Sequence, residues 1–294
     1  MKSLKDYQGN VISAAEAMAL IERLPSPKKT EPKNPEPPSR ISFSEGDFLT
    51  LENISCVDAD GNVFESYDHL DVARDIFRAD GKQVSRTPYA HAVHCEEMGL
   101  FLPSFALTCN IVARLYERRS DAKIERVLQQ YKYKGNGLGW HAQNTIIAYD
   151  SSEIIHYPSA SDFSGVTAVN ASQSRVVLPF VKDSLEDALL KDALHDASSR
   201  RFLQQLTGLK NPEVLIPIGE YFSRPAKVWF PWNGKAGKGF KEKRAAWFGC
   251  IDASFNLDAV NFLGSVNAAR GVRRGGERSE PGAGGAKWNL LLIV

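Results

Sequence analysis

Histidine and cysteine side chains that could ligate a metal lie close together in the segment HAVHC, which carries His91, His94 and Cys95. On a helix, residues three and four positions apart share a face, so His91 could lie on the same side as both His94 and Cys95. A zinc site needs three or four converging ligands, and one of the remaining histidines, His141, is the candidate to complete it. The spacing matches no strong zinc signature. A metal-dependent enzyme with a site around these four residues is therefore one alternative hypothesis.

Nucleophilic catalysis has no recognisable motif in this chain, which contains neither GxSxG nor HExxH. Cys95 is next to His94 and Glu96, but neighbours in sequence point in different directions on a helix. The cysteines are widely spaced and include no CxxC pair, at Cys56, Cys95, Cys109 and Cys250. This pattern favours buried, reduced thiols over a disulfide scaffold. We expect neither catalytic residues nor a cofactor.

Basic side chains are concentrated in GKAGKGFKEKR, the segment 234–244. It lacks the Gly-Lys-Ser or Gly-Lys-Thr spacing of a phosphate-binding loop and no strand-to-helix context surrounds it, so a solvated hairpin tip is the favoured interpretation. The chain as a whole has 36 basic and 35 acidic residues, which gives no global attraction for a polyanion. A nucleic-acid-associated protein remains a second alternative, and its phosphate contacts would come from Lys235, Lys238, Lys241, Lys243 and Arg244.

Aromatic and small polar residues alternate after this basic segment, in a pattern typical of adaptable binding surfaces. Phenylalanines would supply contact area, and short polar side chains would supply hydrogen bonds. We predict that a ligand is bound by Phe248, Cys250, Asp252, Ser254, Phe255, Asn256, Asp258, Asn261, Phe262, Ser265 and Asn267. The tryptophans around this segment, Trp229, Trp232 and Trp247, are predicted to lie in the core, because burial of an indole contributes so much to stability.

The elements that must position these residues indicate an α+β fold. Residues 1–40 are expected to form a capped amphipathic helix at Ser13–Leu24, followed by a stiff proline-rich linker at Pro25–Arg40. A globular body, 41–294, follows. Its first part predicts β structure over Ile41–Phe64, with a turn at Asp60-Gly61. Helices are then predicted at Leu70–Phe77, Ala90–Met98, Ser104–Arg119 and Asp121–Tyr131.

The second half of the body is predicted to be richer in strands. Thr145–Tyr149 and Glu153–Tyr157 form a hairpin in this prediction, and Arg175–Val181 is a further strand. Ser184–Leu206 has the clearest helical pattern, whereas no helix is predicted after Asn211. No apolar run is long enough to span a membrane and the N-terminus lacks a signal-peptide core, so we expect synthesis in the cytoplasm.

The C-terminal segment Lys227–Gly276 resembles the end of a C-type-lectin-like domain. Its tryptophan-bearing strand, turn, second aromatic strand, polar irregular segment and closing ARGVR are similar to the formylglycine-generating-enzyme branch of that fold. They also resemble the variable proteins of diversity-generating retroelements. The RGGSW core of that pattern is absent, since Gly276 is followed by Glu277. The active-site cysteines of the enzymes are not matched either, because only Cys250 lies in the region.

Composition adds a second link to the variable proteins, in which mutagenesis acts on adenines in Asn-type codons. Such codons cannot become Lys, Glu, Gln, Met or Trp. None of these five residue types occurs between Phe248 and Gly276, although they make up 52 of the 294 residues of the chain. A buried, β-rich segment would also be poor in Lys, Glu and Gln, so both explanations stay open.

The resemblance implies a non-enzymatic protein that displays a diversifiable binding surface on a C-type-lectin-like scaffold, with helical insertions and a variable-like region near 246–276. The ligand would be a macromolecule, either protein or glycan. Arg270 and Arg273 would be framework residues that pair with carboxylates beneath the loops. Residues 1–40 would attach the domain to a partner, which would place the protein on a virion or a cell surface.

Overall fold

The computed structural model describes residues 4–5, 11–12, 45–79, 82–132, 140–157, 174–179, 181, 185–222, 225–230, 243–251, 254–260 and 268–275. The chain divides into two compact units, Met1–Ile41 and Ser42–Val294. In the first unit, strand β1 (Leu4–Lys5) pairs antiparallel with β2 (Val11–Ile12). The predicted helix at 13–24 and the proline-rich segment at 25–40 lie outside the described residues.

The second unit is a mixed α+β body, as the sequence predicts. Its strands and helices follow in chain order as β3 (Phe48–Val57), β4 (Val63–Ala73), β5 (Arg78–Ala79), β6 (Lys82–Gln83), α1 (Pro88–Glu97), α2 (Phe105–Glu117), α3 (Ala122–Leu128), β7 (Trp140–Ala148), β8 (Glu153–His156), β9 (Ser174–Val177), β10 (Leu185–Leu189), α4 (Leu190–His195), α5 (Ala197–Thr207), α6 (Leu215–Phe222), β11 (Ala226–Phe230), β12 (Lys243–Ile251), β13 (Ser254–Val260) and β14 (Val272–Arg274). Among the described residues, no helix has the length and apolar character needed to cross a membrane.

Strands β3, β4 and β14 form an antiparallel sheet in the order β14-β4-β3. The predicted turn between the first two strands is confirmed: the Asp58 carboxylate accepts hydrogen bonds from the backbone N–H groups of Asp60 and Asn62, and Gly61 takes a positive φ of 87°. The helix predicted at Leu70–Phe77 is wrong, because Leu70–Ala73 continues β4. Leu70 and Val72 are fully buried at alternate positions, which is the period of a strand.

The three helices predicted between residues 90 and 131 are confirmed to within two residues at their starts. Each begins at a side chain that accepts a backbone N–H, which is what a helix N-terminus requires. These capping residues are Thr87 for α1, Ser104 for α2 and Asp121 for α3. Helix α2 carries buried residues along most of its length and packs against β3, β7 and β12, so it lies at the centre of the core.

The larger sheet has seven strands in the order β10-β11-β13-β12-β7-β8-β9. The predicted hairpin is confirmed as β7 and β8, with Ala148 paired to Glu153. Strand β9 confirms the start of the strand predicted at Arg175–Val181. All neighbouring pairs are antiparallel except β11 and β13, which run parallel.

The continuous helix predicted at Ser184–Leu206 is corrected by the structure. Leu185–Leu189 forms β10, because pairing Leu185 with Phe230 on β11 buries both side chains. The remainder is divided into α4 and α5 at Asp196, whose extended backbone and carboxylate form the N-cap of α5. Gly208, with φ 62°, ends α5 as predicted.

Helix α6 was missed by the prediction of no helix after Asn211. Its sequence LIPIGEYF contains Pro217 and Gly219, and both residue types have a low helix propensity. Tertiary packing explains the glycine. A Cβ built on Gly219 would lie 2.5 Å from the Ala226 Cβ and 2.8 Å from Phe255, so only glycine lets α6 approach the sheet this closely.

Candidate functional site

Phe248 and Phe255 are framework residues at the centre of the large sheet. Both are fully buried and their rings meet edge to face at 5.2 Å. Phe248 also contacts Phe105 of α2, and Phe255 stacks on Phe222 of α6. The prediction that these two side chains supply exposed contact area is wrong. Alternation along β12 and β13 turns them to the same core face as Leu257, which pairs with Phe248 in the register.

Among the predicted site residues whose side chains are described, Asp258 has a buried polar atom without a hydrogen-bond partner. It is 8% exposed, and its Oδ1 has no hydrogen-bond partner. Burial raises the pKa of its carboxyl to about 6, although the backbone N–H of Ala259 and the charge of Arg244 act in the opposite direction. A buried carboxylate oxygen without a donor is costly, so this position reduces the stability of the fold.

Two tryptophans flank Asp258 in the register of the sheet. Trp247 of β12 is its antiparallel partner and Trp229 of β11 is its parallel partner. Trp247 is 2% exposed and belongs to a core cluster with Ala245 and Ala142, which confirms its predicted role. Trp229 is only partly buried. Trp232 lies outside the described residues.

Arg244 completes this group of side chains. Its guanidinium carbon lies 5.7 Å from the centre of the Trp229 ring, and its Nη1 donates to the carbonyl of Ala259 at 3.2 Å. Arg244 is 8% exposed, so it does not lie at a solvated hairpin tip. Its burial also does not fit the alternative prediction of a phosphate contact. Lys243, beside it, pairs with Ala148 inside the sheet. Lys235, Lys238 and Lys241 lie outside the described residues.

The other predicted ligand-binding residues fall outside what the structure describes. Asp252, Asn261, Phe262, Ser265 and Asn267 are not described, and of Cys250, Ser254 and Asn256 only the backbone is. Cys250 pairs with Phe255 in the register, Gly249 with Asn256 and Ile251 with Ser254. Every residue between 248 and 267 whose burial is described is buried. At those positions burial by itself explains the scarcity of Lys, Glu and Gln.

The chain is firmly held on both sides of residues 261–267. Before them, β13 is paired with β11 and β12 as far as Val260. After them, the carbonyl of Ala268 accepts from Ala142 N–H at 2.8 Å, and that of Ala269 accepts from Phe77 N–H at 3.1 Å. Ala268 and Ala269 are buried. Both flanks of this seven-residue segment therefore belong to the hydrogen-bonded body.

Arg270 and Arg273 have framework contacts. Arg273 donates from Nε to Asp71 at 3.0 Å, which confirms the predicted pairing with a carboxylate. Arg270, 3% exposed, instead bonds the carbonyl of Ala73 and, at 2.8 Å, the amide oxygen of Gln130. These contacts tie the segment after residue 267 to β4 and to the turn after α3.

His91, His94, Cys95 and His141 do not form a ligand set, and the described residues contain no group of three or more His, Cys, Asp or Glu side chains that could hold a metal ion. Burial lowers the pKa of His141 to about 3, so its imidazole is neutral, and its Nε2–H donates to the carbonyl of Gln130 at 3.1 Å. Burial also raises the pKa of Cys95, which keeps the thiol protonated and a weak nucleophile.

Phe77 explains the burial of the HAVHC segment. The His91 ring stacks on it at 5.8 Å, and the His94 ring meets it edge-on at 5.3 Å. Burial lowers the pKa of His94, and its Nδ1 lies 3.5 Å from Glu97. These contacts assign the segment to helix packing.

Glu65 is the centre of a second polar cluster, which sequence reasoning missed. Its carboxylate accepts from the hydroxyls of Tyr67 at 2.8 Å, Tyr157 at 2.7 Å and Ser104 at 3.4 Å. Burial raises the pKa of this carboxyl, against the opposing effect of the hydrogen bonds. Tyr157 has a positive φ of 57°, so its backbone conformation is strained. Both carboxylate oxygens are satisfied, which makes this cluster a structural network.

The chain matches no protein-family model, no curated protein and no solved structure. The sequence predicts separate roles for Asp258, Trp229 and Arg244. No local signal could have joined them, because the parallel pairing of β11 with β13 is a long-range feature.

Proposed function

We propose that this chain is a non-enzymatic ligand-binding protein that displays a diversifiable surface on a C-type-lectin-like scaffold. The predicted contact residues that remain are Cys250, Asp252, Ser254, Asn256, Asn261, Phe262, Ser265 and Asn267, because Asp258 is buried. The ligand is a macromolecule, a protein or a glycan. Phe248 and Phe255 belong to the scaffold and are removed from the contact set.

The anchoring of both flanks of residues 261–267 carries this proposal. Backbone hydrogen bonds to Ala142 and Phe77 and the contacts of Arg270 hold the chain immediately after the segment. The pairing of β13 holds it immediately before. Because these holding contacts are made by residues outside the segment, we expect substitutions within it to leave the described core intact, which is what a surface that varies in sequence requires.

A binding selection tests this function. The full chain is immobilised and screened against displayed random peptides and an oligosaccharide array, and the affinity of each selected ligand is measured by titration. A variant with alanine at Asn261, Ser265 and Asn267 is expected to lose at least tenfold in affinity. A matched variant, Asp60→Asn with Arg201→Gln, removes an exposed ion pair elsewhere and is expected to bind normally. Equal affinities for all three proteins would contradict the proposal.

The diversification has its own test in the encoding DNA. A near-copy of the codons for Phe248–Gly276 that differs almost only at adenines, beside a reverse-transcriptase gene, is the expected finding. The differences should fall outside the codons of Phe248, Leu257 and Ala259, whose side chains are buried. A locus with no such copy would leave a binding protein of fixed sequence.

A further inference from the structure

The turn from α2 into α3 presents a group of cations without ion-pair partners. Residues 117–123 are all exposed there, and the backbone N–H of Asp121 donates to the carbonyl of Arg118 at 3.0 Å, so α3 begins directly beside the end of α2. Four exposed basic side chains pair with no acidic group among the described residues, and we call them the basic corner: Arg118, Arg119, Lys123 and Arg126.

The acidic side chains of the same segment are bound to other groups. Glu117 pairs with Arg114 at 3.0 Å, one turn earlier on α2. Asp121 caps α3 by accepting a backbone N–H of its first turn. Glu125 accepts a hydrogen bond from the hydroxyl of Tyr221 on α6. The four cations therefore have their hydrogen-bond donors available to an external anion.

Arg119 has a fixed orientation within the basic corner. Its guanidinium carbon lies 4.0 Å from the centre of the Tyr116 ring, and its Nη1 donates to the carbonyl of Tyr116 at 2.8 Å. No described residue accepts from its Nε or Nη2. A guanidinium held in one plane, with two parallel donors directed outward, is suited to bidentate binding of a carboxylate.

An aromatic pair lies next to Arg119. Tyr116 and Tyr221 are both half-buried, and their rings meet edge to face at 5.6 Å. Arginine and tyrosine are enriched among the residues that contribute most to binding at protein–protein interfaces. The basic corner is therefore continuous with a surface that offers contact area as well as charge.

The distribution of charge favours a protein partner over a nucleic acid. Glu117, Asp121 and Glu125 lie among the cations, and the continuous phosphate backbone of a nucleic acid would meet their carboxylates. A peptide can place its acidic side chains at the cations alone. The formal net charge of the chain is +1, which gives a polyanion no long-range attraction.

We propose that the basic corner is a docking site for an acidic segment of a partner protein. One carboxylate of the segment accepts from Nε and Nη2 of Arg119, and further carboxylates lie beside the other three cations. An apolar side chain of the segment packs against Tyr116 and Tyr221. None of these residues belongs to the proposed ligand-binding surface, so this inference does not depend on the proposed function.

The test titrates the full chain into fluorescein-labelled copolymers and follows their fluorescence anisotropy. The probes are a glutamate–tyrosine copolymer and its neutral counterpart, a glutamine–tyrosine copolymer. Only the acidic probe is expected to bind, and more weakly as the salt concentration rises. The double variant Arg118→Gln with Arg119→Gln is expected to lose at least tenfold in affinity, because it removes charge-assisted hydrogen bonds. Arg119→Lys keeps the charge but lacks the planar fork, so it is also expected to bind more weakly.

The chain offers a matched control in a second pair of adjacent arginines. Arg200→Gln with Arg201→Gln changes the net charge equally, but these side chains already form ion pairs with Glu213 and Asp60. This control is expected to bind the acidic probe normally. Both double variants alter side chains at the surface, so their melting temperatures should stay close to that of the wild type, and a loss of binding cannot be attributed to unfolding.

Each outcome decides the inference. Salt-sensitive binding of the acidic probe that is lost in the first double variant and kept in the control supports the docking site. Equal affinities of the two double variants, equal binding of the two copolymers, or no binding overturns it. Tighter binding of oligothymidylate than of the acidic probe overturns it in favour of a nucleic acid. Self-association in sedimentation that the first double variant abolishes overturns it in favour of a second copy of this chain.

Discussion

Asp258 gives the sharpest prediction about this protein, because its carboxylate costs stability that an amide would not. Its pKa in the folded protein is about 6, against 3.8 for an unperturbed aspartate, because the side chain is buried. Each unit of pKa shift corresponds to about 1.4 kcal/mol of differential stability, so the ionised carboxylate lowers the free energy of unfolding by about 3 kcal/mol.

The sign of the effect follows from the direction of the shift. The pKa is higher in the folded state, so the folded protein binds a proton more tightly than the unfolded chain does. The penalty is fully present above pH 6, decreases as the pH falls through 6, and vanishes below 3.8. Asp258→Asn has no carboxylate at any pH. About 0.5 kcal/mol of the penalty remains at pH 4, so the difference in unfolding free energy, variant minus wild type, should be about 2.5 kcal/mol larger at pH 7.5 than at pH 4.

Urea unfolding of both proteins at the two pH values measures this difference. Other titrating groups are the same in both proteins and cancel, and the new amide group contributes equally at both pH values. The control Asp187→Asn, whose carboxylate is exposed beside Lys227, should show no comparable pH dependence. A variant-minus-wild-type difference that is the same at both pH values would refute the assignment of a desolvated carboxylate to Asp258.

Three further substitutions test the framework. Phe248→Ala should lower the free energy of unfolding by about 3–5 kcal/mol, because it empties a fully buried ring; a loss below 1 kcal/mol in urea titration would place the ring at the surface. Gly219→Ala should cost about 1–3 kcal/mol, because its methyl group would clash with Ala226, and an unchanged melting temperature would disprove this close approach. Tyr157→Phe should cost about 1–2 kcal/mol and raise the pKa of Glu65 further, since it deletes a donor to that carboxylate. An unshifted Glu65 signal in a carboxyl NMR titration would contradict that role.

Local sequence patterns predicted the elements whose signals are short-range. The Asp60-Gly61 turn, the three central helices and the β7–β8 hairpin each depend on residues within a few positions of one another. The framework role of Arg273 and the core position of Trp247 were also predictable. In both cases the size or charge of one side chain restricts where it can lie.

The errors have a common physical cause, which is long-range pairing. Leu70–Ala73 and Leu185–Leu189 have apolar spacings that fit a helix, yet each becomes a strand because a partner strand distant in sequence buries its apolar face. Helix α6 forms despite Pro217 and Gly219 because its apolar side packs on β11 and β13. Tertiary contacts override local propensity in all three elements.

The sequence by itself determined the α+β class, the region that carries the candidate site and the residue types available there, since these depend on composition and local pattern. Only the tertiary structure decided which of those residues are framework. The pairing of β12 with β13 turned Phe248 and Phe255 into the core and left Asp258 between two tryptophans. The parallel neighbour β11 then placed Trp229 beside Arg244 of β12. Strand order is set by burial summed over the whole sheet, and no single segment encodes it.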